Sequence, residues 1–166
     1  MGTAIEDHLS IAEFERKYGG PDQAYEYWRG KAIPKAMPTW IHGFLQILIG
    51  QLLLEIGYKP GAEVDLRIDP DKIPRPDVIA TRGKIEQGYP TKAVELVVEI
   101  LSEDDKMPYQ LEKYQAYADW GFEYIYIVNP YSRQVFRWTE RGLEESDLLV
   151  STPVTRIWSA LDQALQ

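Results

Sequence analysis

The sequence predicts an α/β (α+β) fold, a central mixed β-sheet flanked by helices, in one domain over residues 1–166. Three observations predict it. Residues 63–68 alternate polar and apolar, with Val64, Leu66 and Ile68 on one face, as a half-buried strand does. Residues 94–101 and 123–129 are near-continuous apolar runs separated by a helical stretch, the strand–helix–strand order of a parallel crossover. A chain of 166 residues, 45% hydrophobic and 12% aromatic, is long enough for one real core and short for two.

The elements follow in order. Ser10-Ile11-Ala12-Glu13 is a capping box that opens a short helix to about Tyr18, ended by Gly19-Gly20-Pro21-Asp22. Residues 24–28 and 32–33 flank Arg29-Gly30-Lys31 as a small hairpin, which gives an N-terminal helix–hairpin extension. Pro34 and Pro38 mark a loop. Thr39 caps a helix over 40–56, with Gly57 as its stop. Apolar residues cover almost its whole circumference, which predicts a buried helix. Its Gly43 and Gly50, with Gly57, recur every seven residues and would let a second helix approach closely. Residues 69–72 form a turn, and 75–80 form a strand antiparallel to 63–68, with Pro76 suited to an edge or a strand start. A polar loop spans 81–91, and a central strand 94–101. Ser102-Glu103-Asp104-Asp105 signals a helix or turn start, Pro108 suits a first helical turn, and Gly121 stops that helix after Trp120. Residues 123–129 read as a buried strand, Asn129-Pro130 as a turn, 134–138 and 148–150 as peripheral strands, and 158–165 as a terminal helix.

Composition narrows the chemistry. Cysteine is absent, which removes disulfides, thiolate metal sites and a thiol nucleophile. His8 and His42 are the only imidazoles, too few for a multi-histidine zinc site. The formal net charge of −8 argues against a general nucleic-acid-coating protein, though not against an enzyme that touches DNA locally. No signal peptide is read, and the apolar stretch 41–56 is short for a membrane span and interrupted by His42, Gln46, Gln51 and Glu55. A cytoplasmic protein with no membrane association is the expectation. No phosphate loop ending in Lys-Ser/Thr and no Gly-x-Ser-x-Gly elbow occurs.

The informative mismatch is a pair of acids. Asp77 opens one apolar run and Glu99 lies inside another, where a charge is costly unless it is paired or bound to metal. Residues two apart on a strand share a face, so Glu95, Val97, Glu99 and Leu101 lie together, opposite Val94, Leu96, Val98 and Ile100. If the two strands are neighbours in register, Asp77 and Glu99 converge, and two close carboxylates stay ionised only beside a cation. Oxygen-only ligands favour Mg²⁺ or Mn²⁺, and such an ion activates water and neutralises charge at a phosphodiester.

Tyr25-Glu26 before Arg29-Gly30, the His42 helix, Arg75-Pro76-Asp77, Val98-Glu99-Ile100-Leu101-Ser102, Lys113-x-x-x-Tyr117, and Gly121-x-Glu123-Tyr124-x-x-Ile127-Val128-Asn129-Pro130 occur in that order. The whole resembles the PD-(D/E)XK restriction-endonuclease-like superfamily, and within it the Uma-two type of endonuclease-related proteins, over roughly 25–138. The resemblance implies a restriction-endonuclease-like core and a metal-dependent nuclease acting on DNA. It matches Asp77 to the acid of the Pro-Asp motif, Glu99 to the second acid, and Glu63 to an acid ligand on the preceding strand. The usual lysine two residues after the second acid is Leu101 here; Lys113, on the following helix, is the matching candidate. An acid often found early in that helix is Tyr109 here.

Each residue also has a plainer reading. Glu99 and Lys113 would form a structural ion pair, Lys113 would be an ordinary lysine on an exposed helix face, and Glu63 a solvent-facing strand residue. Glu26 reads first as a hairpin residue, His42 as a hydrogen-bonded core or edge histidine, and Tyr117 as packing; Glu26 and His42 are auxiliary site candidates in second place. Two functions compete. One is a Mg²⁺-dependent endodeoxyribonuclease that works as a homodimer. The other is a catalytically inactive, dimeric interaction or nucleic-acid-binding module on the same core, favoured by the acidic balance, Leu101 and the Gly-spaced helix. A carboxylate-pair hydrolase acting on sugars ranks behind both.

Overall fold

A computed structural model describes residues 8–20 and 23–166. Helix α1 (Ile11–Tyr18) begins at the Ser10 capping box, whose two reciprocal hydrogen bonds are both present. It ends at Gly19; the Pro21 and Asp22 of the expected stop lie outside the described residues. Strands β1 (Tyr25–Trp28) and β2 (Lys31–Pro34) form the expected hairpin, with Arg29 and Gly30 both at positive φ in its turn. Helix α2 (Trp40–Glu55) starts where Thr39 Oγ1 accepts the His42 amide at 3.2 Å.

Strand β3 (Lys59–Ala62) follows, then the two-residue β4 (Lys72–Ile73), β5 (Val78–Thr81) and β6 (Leu96–Ile100). Helix α3 (Met107–Trp120) ends at Gly121, whose φ of 106° is the left-handed cap that glycine adopts most readily. Strands β7 (Tyr124–Asn129), β8 (Gln134–Thr139), β9 (Gly142–Glu145), β10 (Leu148–Leu149) and β11 (Thr152–Pro153) lead to α4 (Thr155–Ala164).

The main sheet runs β3-β5-β6-β7-β8-β9. Only β6 and β7 pair in parallel; the other neighbours are antiparallel, so the sheet is mixed. Alternation along the strands separates two cores. Val78, Ala80, Leu96, Val98, Ile100, Tyr126 and Val128 pack with α2 and α4. Ile79, Val97, Ile125 and Ile127 pack with Tyr114 and Tyr117 of α3. A smaller sheet, β2-β1-β4, carries its own cluster of Leu9, Phe14, Tyr27 and Ile73.

Three expectations are corrected. Residues 63–68 are not a strand: β3 lies earlier, and its partner is residues 78–81 rather than 75–80. The alternation reports burial, since Leu66 is fully buried and Val64 and Ile68 partly so, but Pro74 and Pro76 opposite have no amide to complete a ladder. Pro60-Gly61 hid the real strand, which tolerates Pro60 because it lies at the sheet edge. Helix α2 buries Leu45, Ile49, Leu52 and Leu53 against the sheet and α4 but leaves Trp40 91% and Ile47 75% exposed, on a face turned away from both. Among the described residues nothing outside the helix's own backbone lies within 4 Å of a Cβ built on Gly43, so no described helix uses that gap. Finally, β8 is not peripheral but sits inside the main sheet between β7 and β9.

Candidate active site

Strands β5 and β6 set the geometry. Their register pairs Val78 with Val98 and Ile79 with Val97, so continuing it by one residue brings Asp77 opposite Glu99. Both carboxylates belong to the sheet face covered by α3, and both line one cleft of about 520 Å³. Asp77 is 2% exposed and Glu99 4%. The same cleft is lined by Glu26, His42, Glu63 and Lys113, so all six residues singled out in the sequence meet there.

Asp77 is heavily coordinated. Its Oδ2 accepts the Ile100 amide at 2.6 Å, and its Oδ1 lies 3.2 Å from His42 Nε2 and 3.3 Å from Lys35 Nζ. Burial alone would raise its pKa, but the His42 hydrogen bond, the Lys35 ammonium and the Ile100 amide together hold it well below the usual carboxylate range. His42 is shifted the other way: burial opposes its protonation, and the Asp77 hydrogen bond and charge outweigh that and raise its pKa. Its Nδ1 is buried with no partner among the described residues.

Glu99 takes both of its donors on one oxygen. Tyr117 Oη donates to Oε1 at 2.6 Å, and Lys113 Nζ lies 2.9 Å from the same atom. Burial pushes the Glu99 carboxyl up to about 7; the Asp77 and Glu26 charges add to this, and Lys113 opposes it. Lys113 is 1% exposed and also bonds both oxygens of Glu26, at 3.0 and 3.1 Å. Burial disfavours its charge, yet Glu26 and Glu99 raise its pKa well above the ordinary lysine value. Glu26 is completed by the Tyr109 hydroxyl at 3.0 Å and the Arg75 amide at 2.6 Å. The plain reading of Lys113 as an exposed helix lysine is therefore wrong; Glu26 is a hairpin residue, as read, but a buried one that ties the hairpin to α3, and Tyr117 hydrogen-bonds as well as packs.

Glu63 stands at a left-handed residue, φ 56°, just after β3. Its carboxylate meets Lys35 Nζ at 3.0 Å and Gln46 Nε2 at 3.2 Å. Gln46 also donates to the Asp77 carbonyl at 2.7 Å, which ties α2 to the start of β5. Sequence reasoning passed over Lys35. It sits in a proline-marked loop where no periodicity assigns it a face. It also passed over Tyr109, noted only as a missing acid, although its hydroxyl reaches the acid Glu26 from the same helix position.

Within the cleft four carboxylates, Glu26, Glu63, Asp77 and Glu99, are linked to two ammonium groups, Lys35 and Lys113, and Asp104, Asp105 and Lys106 line the same cleft. Among the described residues no three carboxylate or imidazole groups converge closely enough to hold a metal ion by themselves. The donor chemistry still suits a hard cation: the acids are all oxygen ligands, they outnumber the ammoniums, and Mg²⁺ commonly binds through one or two carboxylates while retaining waters.

The mixed sheet and its flanking helices form a restriction-endonuclease-like core. Residues 11–162 match the Uma2 family, described as "Putative restriction endonuclease", and the chain belongs to that family. Among solved structures, the chain is similar to a crystal structure of a DUF820 protein from Anabaena variabilis, described as a "putative nuclease". The TM-score is 0.72 at 21% identity, covering 92% of this chain and 99% of that one, which is a likeness of fold. No curated protein matches significantly.

Proposed function

We propose that the protein is a divalent-metal-dependent nuclease that hydrolyses DNA phosphodiester bonds at the Asp77–Glu99 cleft, in the cytoplasm. One observation carries this reading: Asp77 and Glu99 face each other from adjacent strands inside a cleft whose carboxylates outnumber its ammonium groups. Asp77 and Glu99, with Glu63 beside Asp77, are the residues that would hold Mg²⁺ or Mn²⁺. When bound, such an ion would supply charge neutralisation at the phosphate and a more acidic water.

The chain's own groups prepare that site. The Ile100 amide and His42 fix the Asp77 carboxylate from two sides. Tyr117 and Lys113 fix Glu99 through Oε1. Lys113 is enclosed by two acids, so it serves as a positioning residue for Glu99 and Glu26 rather than a group that meets substrate. The test is cleavage of single- and double-stranded DNA with Mg²⁺ or Mn²⁺, run beside Glu99→Gln. The expected result is metal-dependent cleavage that falls by about 10²–10³-fold in the variant, the scale of losing one preorganised electrostatic group. Asp77→Ala and Glu99→Ala should also lose metal binding; unchanged binding in both rejects the site.

A second reading has its own support. Trp40, Ile47 and Leu54 recur at seven-residue spacing on α2 and are all exposed, a ridge suited to a helix of a second copy. On this reading the protein is an inactive, homodimeric interaction module. A dimer that Ile47→Glu separates, together with no cleavage of any DNA in any metal, supports it; Glu99-dependent cleavage defeats it.

A further inference from the structure

Lys35 is the one ammonium of the cluster that retains contact with solvent. Its Nζ sits between Glu63 Oε2 at 3.0 Å, the Arg75 carbonyl at 2.7 Å and Asp77 Oδ1 at 3.3 Å. These are three oxygens of the kind a hard cation takes, and two of them belong to the acids assigned above to the metal. An ammonium and a divalent ion cannot both occupy the same carboxylate oxygen at short range. The two lysines differ in how firmly they are held. Lys113 has three contacts between 2.9 and 3.1 Å and a side chain 1% exposed, so its release would strand a bare ammonium in the interior. Lys35 has a side chain 13% exposed, and its Asp77 contact is the longest of its three. If that contact opens, Glu63 and the Arg75 carbonyl still hold the ammonium, and water can reach it. The backbone is pinned by the Lys35 amide donating to the Ala24 carbonyl at 2.8 Å, so only the side chain has to move.

We infer that Lys35 is a built-in counter-ion that holds the Asp77 and Glu63 carboxylates in place and is displaced from Asp77 when a divalent cation binds. The inference rests on the metal-dependent reading above. Lys35 offsets part of the acid charge when no divalent ion is bound, and metal affinity is set by competition with the side chain rather than by the acids alone.

The experiment measures Mn²⁺ affinity by titration, without substrate, for the full chain, for Lys35→Met and for Lys106→Met. Lys106 lines the same cleft outside the acid cluster and controls for a general change in charge. Competition predicts that Lys35→Met binds Mn²⁺ at least about tenfold more tightly than the unaltered chain, and that Lys106→Met changes affinity much less. In parallel, the side-chain nitrogen resonance of Lys35 in the unaltered chain is followed on Mg²⁺ saturation. It should shift by more than that of Lys113, which keeps its contacts, a result that does not depend on any variant folding. Equal or weaker affinity in Lys35→Met, an equal gain in Lys106→Met, or an unmoved Lys35 resonance at saturation overturns the inference while leaving the nuclease reading intact. Absence of Mn²⁺ binding in all three chains overturns the metal-dependent reading itself, and the inference with it.

Discussion

At the scale of single residues, the site is a set of buried acids and ammonium groups tied directly to one another. Lys113 shows the consequence most directly. Replacing it with methionine leaves Glu26 and Glu99 facing each other in a nearly dry interior with no cation between them. Losing one partner of a buried ion pair costs about 3–5 kcal/mol, so Lys113→Met should unfold at markedly lower urea concentration. Adding Glu26→Gln should recover part of that loss, because one uncompensated charge is then removed. If the single variant unfolds at the same urea concentration as the parent, the ammonium is not neutralising these acids. The sequence held a signal for this role. Gln110, Lys113, Tyr114 and Tyr117 share one helical stripe, and all are buried. A lysine on a stripe with two tyrosines is out of place on a solvent face. Lys35 had no such signal: its importance comes from where a loop passes in space, which local sequence does not encode.

At the scale of elements, the reading was most secure where punctuation and periodicity agreed. Ser10, Thr39 and Gly121 each mark the end of a helix, and each cap forms as its chemistry requires. Gly121 gives a clean test. A Cβ there would meet only Ala93 Cβ at 3.9 Å, an ordinary contact, so the cost of Gly121→Ala is backbone strain at positive φ. That cost should be about 1–2 kcal/mol, measured by thermal or chemical unfolding, with the Asp77–Glu99 cleft unaffected. The β3–β5 pairing was not legible, because Pro60-Gly61 looks like a turn while residues 63–68 look like a strand. Alternation records which side chains are buried and not which backbone they pair with. The acid pair survived that error, because the faces of β6 and the position of Asp77 at the head of β5 do not depend on which strand lies at the edge.

At the scale of the whole molecule, a net charge of −8 opposes a polyanionic substrate. Association with DNA should therefore be undetectable without a divalent ion at moderate salt and appear when Mg²⁺ or Ca²⁺ is added, with a shallow dependence on monovalent salt because few phosphates are neutralised by side chains. Tight, metal-independent binding with a steep salt slope would instead point to a local basic surface. The arrangement of Lys113 has a further consequence. A two-stranded hairpin is marginal alone, yet β1 is joined through Glu26 to α3, and α3 through the same ammonium to Glu99 of β6. The small N-terminal sheet and the large one should then open as one cooperative unit. Backbone amides of β1 would trade hydrogen for deuterium as slowly as those of β6, and cutting that tie would let the hairpin exchange early while the interior stayed protected.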